Sequence, residues 1–400
     1  MRWTDCGRYK RTMWLTFLFV GTAALFLAIA STTLFHLRWA QRLPSLSDLD
    51  TPDGCGGAND GRVQCSVIVA ARDEELRIGD TVRHLLAQIG VQLEVIVIDD
   101  RSTDRTDEIL SRLTQHDDRV RTQRVHELPD GWLGKCYACH RGAASAKGDW
   151  ILFTDADCWL KPDVISRALR VAEREGADHV TLTPGTDAKS LGAQAWHLAF
   201  LITLANWFSG VNRDRAKAYL GMGAFNLVRA SAYRECGGYE ALRLTVLDDI
   251  RLGLLLRRAG KRTRGFIGGS DTECHWGTTV REMIHIMEKN YFAAMDFRLA
   301  AALAGGLGGT LFWLAAIVGP FTGTAAGVAA GLAMLTVSIP AYAFARRLGW
   351  GGASALLTPL IFPVLFYAML NSAWVTTRQG GVFWRDTFYP LEVLRSGAVR

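Results

Sequence analysis

Apolar residues in this chain follow two different patterns, which divide it. Trp14 to Phe35 contains no charged residue. At about 1.5 Å of rise per residue it is long enough to cross a hydrocarbon layer about 30 Å thick. Arg8, Lys10 and Arg11 precede it. The small residues at Ala28-Ile29-Ala30 allow the alternative of a cleaved leader, but the apolar run continues past them. A second membrane region opens near Arg298. Leu299 to Phe321, Thr322 to Ala345 and Ala353 to Val375 are successive apolar runs rich in glycine and alanine, which permit close helix packing in lipid. Pro359 and Pro363 predict a kink or a re-entrant path in the third. The expectation is one membrane helix over 14–36 after a tail at 1–13, three more over 298–377, and a tail at 378–400.

Between these ends the pattern is that of a charged globular domain, over 62–296. Asp48 to Gly61 is rich in Gly, Asp, Pro and Asn and reads as a linker. Cys65 to Ala70, Leu93 to Ile98 and Trp150 to Thr154 are short apolar runs that read as buried strands. Val82, Leu85, Leu86 and Ile89 share one helical face, Thr106 to His116 predicts a second helix, and Pro162 fits the first turn of a third. Strands alternating with helices predict an α/β fold with a mostly parallel sheet. Ligands in such sheets bind beyond the carboxyl ends of the strands.

Polar clusters occupy those ends. Ala71-Arg72-Asp73-Glu74-Glu75 follows the first strand and Asp99-Asp100-Arg101-Ser102-Thr103-Asp104 the second. Either alone reads equally well as a solvated turn with Ser102 or Asp104 capping a helix. Together they favour a nucleotide site, with Ala71, Arg72, Glu74, Asp99 and Asp100 as candidates. Asp155-Ala156-Asp157 follows the third strand. Alternate residues of an extended segment share one side, so Asp155 and Asp157 can face one hard cation, Mg2+ or Mn2+, together with diphosphate oxygens. Gly131 to Lys135 opens a helix, where glycine allows a phosphate to approach and Lys135 adds charge. Asp248 and Asp249 stand at the start of a helix expected over Ile250–Ala259, one free to cap and one to act as a base. His275 is a candidate third metal ligand, against the plainer reading of a solvated or core histidine.

Hydrophobic residues make up 49% of the 400 residues and charged ones 21%, with a net charge of +6. That charge is too small and dispersed for a nucleic-acid binder, and its arginine excess suits lipid headgroups or phosphates. The eight cysteines form no paired array for zinc. Cys136 and Cys139 make a single CxxC within a predicted helix and read as plain thiols in a reducing compartment. Leu191 to Val211, with Trp196, Phe200, Trp207 and Phe208, reads either as a membrane-facing interfacial helix or as a buried core helix.

In this order the clusters resemble inverting family-2 glycosyltransferases, over roughly residues 65 to 295. The matching segments are Val69 to Glu75, Val97 to Asp104, Phe153 to Asp157, Gly131 to Lys135 and Leu247 to Asp249. Ala70 stands where proline is usual in that family, and Arg101 where glycine is commoner. The resemblance implies a GT-A, Rossmann-like domain, a nucleotide-diphosphate sugar donor (a UDP-sugar foremost), and Asp249 as the base. It also puts Gly223, Ala224 and Phe225 beside the acceptor. Gly380 to Leu391 is similar to the C-terminal segment of membrane enzymes in the hopanoid- and carotenoid-associated subgroup. Processive members carry Gln-x-x-Arg-Trp after the base. Here Glu282 to Asn290 fills that region without it. The expectation is therefore transfer of a single sugar to a lipid or lipid-linked hydroxyl at the cytoplasmic face of the inner membrane. A processive synthase subunit, a nucleotidyltransferase and a non-catalytic nucleotide-sugar-binding protein are the alternatives. The positive-inside rule fits this topology incompletely, because one leading and three trailing spans put both basic termini outside.

Overall fold

The computed structural model describes residues 3–49, 63–275, 277–397 and 399, with side chains from residue 12 on. The linker expected over 48–61 lies, from residue 50 on, outside the described residues. The chain divides into two compact units.

The larger unit comprises Trp39–Asp187, Trp207–Trp276 and Gly381–Arg400. Its strands are β1 (Cys65–Ala71), β2 (Leu93–Asp100), β3 (Val120–Val125), β4 (Trp150–Asp155), β5 (Cys158–Leu160), β6 (His179–Thr183), β7 (Gly185–Thr186), β8 (Asn226–Arg229), β9 (Thr263–Ile267), β10 (Thr272–Cys274), β11 (Gly381–Trp384) and β12 (Thr387–Pro390). Seven of them form one sheet, in the order β3-β2-β1-β4-β8-β6-β9. All its pairings are parallel except those of β8, which runs antiparallel to both β4 and β6. Runs such as Val67, Ile68 and Val69 are buried because helices cover both sheet faces.

Register places the clusters. Ala71 lies opposite Asp99, and Ala70 opposite Asp155, so three strand ends finish at one edge of the sheet. Because β8 returns antiparallel, with Asn226 opposite Phe153, the segment Gly223–Phe225 enters at that same edge. The helices expected after β1 and β2 are Ile78–Leu86 and Thr106–His116. Ile89 falls outside the first and is exposed. Pro162 precedes its helix, Val164–Glu175, rather than sitting inside it. Trp39–Leu49 also belongs to this unit: Arg167 donates to the carbonyls of Leu43 and Pro44, at 3.1 and 2.8 Å.

The smaller unit comprises Met1–Arg38, Ala188–Asn206 and Gly277–Gly380. The first helix, Trp3–Leu37, already begins in the expected N-terminal tail. Four segments are long and apolar enough to span a membrane: Thr12–Leu37, Leu299–Thr322, Ala325–Leu348 and Gly352–Gln379. Glycines set the spacing between them. A Cβ at Gly306 would meet Leu370 at 2.4 Å, and one at Gly309 would meet Phe366 at 2.5 Å. The two prolines do not interrupt Gly352–Gln379, which is one continuous helix, so the re-entrant expectation is corrected. Pro363 has no N–H for the carbonyl four residues earlier, and Trp313 Nε1 donates to that Pro359 carbonyl at 3.0 Å instead. In the helix Leu191–Val211, Trp196 and Phe208 are fully buried while Trp207 is partly exposed. The core reading therefore holds for two of its four aromatic residues, Phe200 being half-buried.

Candidate active site

The turns after β1 and β2 lock together through side chains. Asp73 and Arg101 both take positive φ, at 55° and 61°. Asp73 Oδ1 accepts from the Thr103 N–H at 2.7 Å, and Ser102 Oγ accepts from the Asp73 N–H at 3.0 Å. The Glu75 N–H donates to Asp104, and the Arg105 N–H to Glu75. Asp73, Glu75, Ser102 and Asp104 are thus occupied as the turn reading anticipates. Asp99 Oδ1 closes its own turn by accepting the Ser102 N–H at 3.0 Å, while its Oδ2 lies 3.5 Å from Arg124. Both oxygens of Asp100 are held by Arg101, at 2.8 and 3.2 Å.

Lys135, in the first turn of the helix Gly134–Ala144, reaches Asp155 Oδ1 at 2.6 Å and lies 3.8 Å from Asp248. Burial pulls its ammonium pKa down, but Asp155, Asp248 and Asp249 outweigh that and hold it well above the usual value. Gly134 is required there, because a Cβ would meet Asp100 Oδ2 at 2.1 Å.

Asp155 ends β4 and Asp157 lies in the turn that follows, so a turn, and not the alternation of an extended segment, brings them together. Their carboxylate oxygens and Cys158 Sγ lie within 4.8 Å of one another. Burial, with Asp155 and Glu74 nearby, pushes the Asp157 carboxyl up to about 7. Cys158 is bonded to Cys274, which lies opposite it across β5 and β10. Cys136 and Cys139, read as plain thiols, are unpaired, as are Cys65 and Cys236. A disulfide sulfur is not a thiolate ligand, so the two carboxylates remain as the candidate cation ligands. His275 is outside this group of ligand atoms. Its backbone N–H donates to the Asp157 carbonyl at 3.0 Å, its ring lies against Trp159, and its Nδ1 is 3.6 Å from Asp187.

The helix expected from Ile250 begins at Asp248, so both carboxylates lie inside its first turn. Neither caps in the usual sense. Asp248 is buried and accepts from the Tyr239 hydroxyl at 2.9 Å. Asp249 accepts from the backbone N–H groups of Gly223 and Ile250, both at 2.8 Å. Burial and the neighbouring Asp248 push Asp249 up to about 6. Gly223 itself accepts from the Asp155 N–H at 3.1 Å, which ties the acidic motif to the candidate base. Ala224 accepts from Thr154 Oγ1, and Phe225 is buried beneath the site.

This sheet edge gathers buried and half-buried acid pairs, a lysine and a helix N-terminus, a chemistry suited to binding a nucleoside diphosphate and to deprotonating a hydroxyl. The family model described as Glycosyl transferase family 2 matches residues 66–237. Residues 66–237 thus form a family-2 glycosyltransferase domain. The 4,4'-diaponeurosporenoate glycosyltransferase of Staphylococcus aureus (strain USA300) is 27% identical over 192 residues, 47% of this chain and 50% of that protein. The chain thus aligns with about half the length of the curated relatives it matches. Mannosyltransferase PcManGT from Pyrobaculum calidifontis, solved with GDP-Man and Mn2+, superposes with a TM-score of 0.53 at 16% identity, over 90% of this chain and 99% of that one. The fold is GT-A, with four candidate membrane spans flanking it in the sequence.

Sequence reasoning missed Tyr239, the Cys158–Cys274 bond and the C-terminal strands that reach the site. Only Arg101, standing where its family prefers glycine, carried a local signal.

Proposed function

We propose that this protein moves one sugar from a nucleotide-diphosphate sugar to a lipid or lipid-linked hydroxyl, with inversion, at the cytoplasmic face of the membrane. The observation that carries the reading is the placement of Asp249, whose two oxygens are fixed by backbone N–H groups. One of those groups belongs to Gly223, against which Asp155 packs.

Asp249 takes the proton of the acceptor hydroxyl as its oxygen attacks the anomeric carbon. The bond from that carbon to the diphosphate oxygen breaks, and configuration inverts in the single displacement. A pKa raised to about 6 suits a base that is ionised at neutral pH yet able to hold a proton. Asp155 and Asp157 fit a hard divalent cation: their oxygens are close, and their mutual repulsion in a buried setting is relieved by positive charge. When bound, such a cation supplies neutralisation of the charge that builds on the leaving diphosphate. Lys135 contributes positive charge at the same place, and the N-terminus of its helix faces the phosphates. Arg72, Glu74 and Asp100 line the nucleotide side, and UDP is the first nucleotide to test.

The four apolar segments, and the lipophilic acceptor in the name of the Staphylococcus relative, support a lipid acceptor here. Membranes containing the protein are to be incubated with labelled UDP- and GDP-sugars, with Mn2+ or with EDTA, and the lipids extracted. Metal-dependent label in the lipid fraction is expected. No transfer from any donor in the panel removes the reading.

A further inference from the structure

Strands β11 and β12 form an antiparallel hairpin, with Trp384 opposite Thr387 and only Arg385 and Asp386 in the turn. Two-residue hairpin turns favour Asn-Gly because they need positive φ. Here Arg385 takes φ 53°. A long side chain held in that region is unfavourable, so what it reaches is informative.

Both turn residues reach the loop after β1. The Arg385 guanidinium pairs with Glu74. In the opposite sense, Arg72 lies 3.4 Å from Asp386 and donates to Thr387 Oγ1 at 3.2 Å. Tyr389, which is buried, reaches the other two sides of the site. Its hydroxyl accepts the Gly134 N–H at 3.2 Å and lies within electrostatic reach of Arg101, the residue that holds Asp100. One hairpin therefore faces the loop after β1, the loop after β2 and the start of the helix that carries Lys135. A simple brace would turn its apolar side chains inward. This hairpin buries Val382 and Tyr389 but leaves Phe383 and Phe388 exposed, and its charged and hydroxyl groups meet the loop after β1 and the start of the helix Gly134–Ala144.

We propose that the hairpin Gly381–Pro390 is a wall of the donor-nucleotide site, with Tyr389 and Arg385 as positioning residues. They hold Arg72, Glu74, Asp100 and Lys135 at the spacing a nucleoside diphosphate requires. The inference rests on the donor reading above. Arg385 acts through charge. Glu74 is close enough to Asp155 and Asp157 for the carboxylates to repel one another. Without Arg385, an uncompensated carboxylate would stand beside the place of an anionic diphosphate. Tyr389 acts through geometry, holding the helix start beside the Asp100–Arg101 turn.

The test uses the full chain in detergent, with UDP and GDP as probes in the presence of Mn2+. Titration calorimetry gives Kd, and hydrogen exchange follows the amides of 381–390. Tyr389→Phe and Arg385→Ala are each expected to weaken binding about fivefold to tenfold, the size of one lost polar interaction. Arg385→Lys, which keeps the charge, is expected to recover most of that loss, which a purely structural role would not require. Donor KM rises in the variants while kcat at saturating donor holds, and nucleotide slows exchange in the wild-type hairpin. Wild-type Kd in both variants, or no protection of the hairpin, overturns the inference alone. Tighter binding by Tyr389→Phe also overturns it, because the hydroxyl would then be a competitor for the Gly134 N–H. If the wild-type chain binds neither nucleotide, the donor reading falls and the inference with it. Should Tyr389→Phe fail to fold, the Arg385 pair of variants, at a partly exposed turn, decides.

Discussion

The Gly223 N–H donates to Asp249 Oδ2 at 2.8 Å, while the carbonyl of the same residue accepts the Asp155 N–H at 3.1 Å. One glycine thus sets the distance between the candidate base and the candidate cation ligand. It has no room for a side chain, since a Cβ would meet Asp155 Oδ2 at 2.4 Å. Gly223→Ala must displace Asp155 or the Asp249 hydrogen bond. Misplacing a reacting group by about 1 Å can cost about a hundredfold in rate. We expect kcat to fall by at least about tenfold, with the thermal midpoint little changed. Steady-state kinetics beside a melting curve check this, and wild-type kcat would detach Gly223 from the chemistry.

Asp249→Asn is expected to retain donor affinity and lose transfer by about 10²–10⁴-fold, because an amide cannot take the acceptor proton. The wild-type pH profile carries the same sign. Burial and Asp248 raise Asp249 to about 6. Above that pH the carboxylate is ionised and competent. Below it, the protonated fraction grows and kcat falls toward tenfold per pH unit. A profile flat down to pH 5 would move the base elsewhere, with Asp248 the first candidate.

Asp157→Ala removes one of the two carboxylates that face a cation. The expected outcome is loss of Mn2+-dependent tightening of UDP binding, with any metal-independent affinity unchanged. Calorimetry with and without Mn2+ reads this directly. Retained metal dependence would transfer the ligand role to Asp155 with another partner, and His275→Ala is then the next variant to measure.

Tyr239 shapes the site from below. Its hydroxyl donates to the buried Asp248, whose nearest cation, Lys135, is 3.8 Å away. Tyr239→Phe keeps the ring packing on Phe153 and leaves that carboxylate short of a donor. The expected cost is about 1–3 kcal/mol, read as a lower thermal midpoint. An unchanged midpoint would mean that water or Lys135 replaces the hydroxyl.

Three of the site's acid clusters were legible because each follows an apolar run that reads as a buried strand; Asp248 and Asp249 open a helix instead. The pairing of Ala71 with Asp99 and of Ala70 with Asp155 then follows from parallel strands ending together. What was not legible is contact across long sequence separation. Arg385 meets Glu74 across 311 residues, and Cys158 meets Cys274 across 116. No local pattern encodes either, because each depends on the path of every element between. Arg101 lies between these cases. Its place in a glycine position hinted at positive φ, and 61° is what the backbone adopts. What this conformation serves, the hold of Arg101 on both oxygens of Asp100, was not legible. The helix Leu191–Val211 is open to two readings in the sequence, because aromatic content alone does not separate a lipid-facing surface from a core; Trp196 and Phe208 are buried while Trp207 is exposed.

The remaining prediction concerns the product. A single span such as Thr12–Leu37 is enough to hold a domain at a bilayer. Three further spans exceed that need, and their glycine contacts fix helix against helix at close range. Such packing makes a rigid surface rather than a loose tether, which suits guiding an acceptor that resides in the bilayer. The sequence also lacks the pentapeptide of polymer-extending relatives after Asp249. We therefore expect a labelled product that partitions into organic solvent and carries one sugar, measured by lipid extraction and mass spectrometry. A sugar ladder on the lipid would support repeated transfer instead. A water-soluble labelled polymer, or equal transfer to a soluble alcohol after residues 299–379 are replaced by an unrelated membrane anchor, would sink the lipid-acceptor reading. Such transfer would leave the donor and base assignments standing, because Asp157, Lys135 and Asp249 all belong to the sheet-bearing unit.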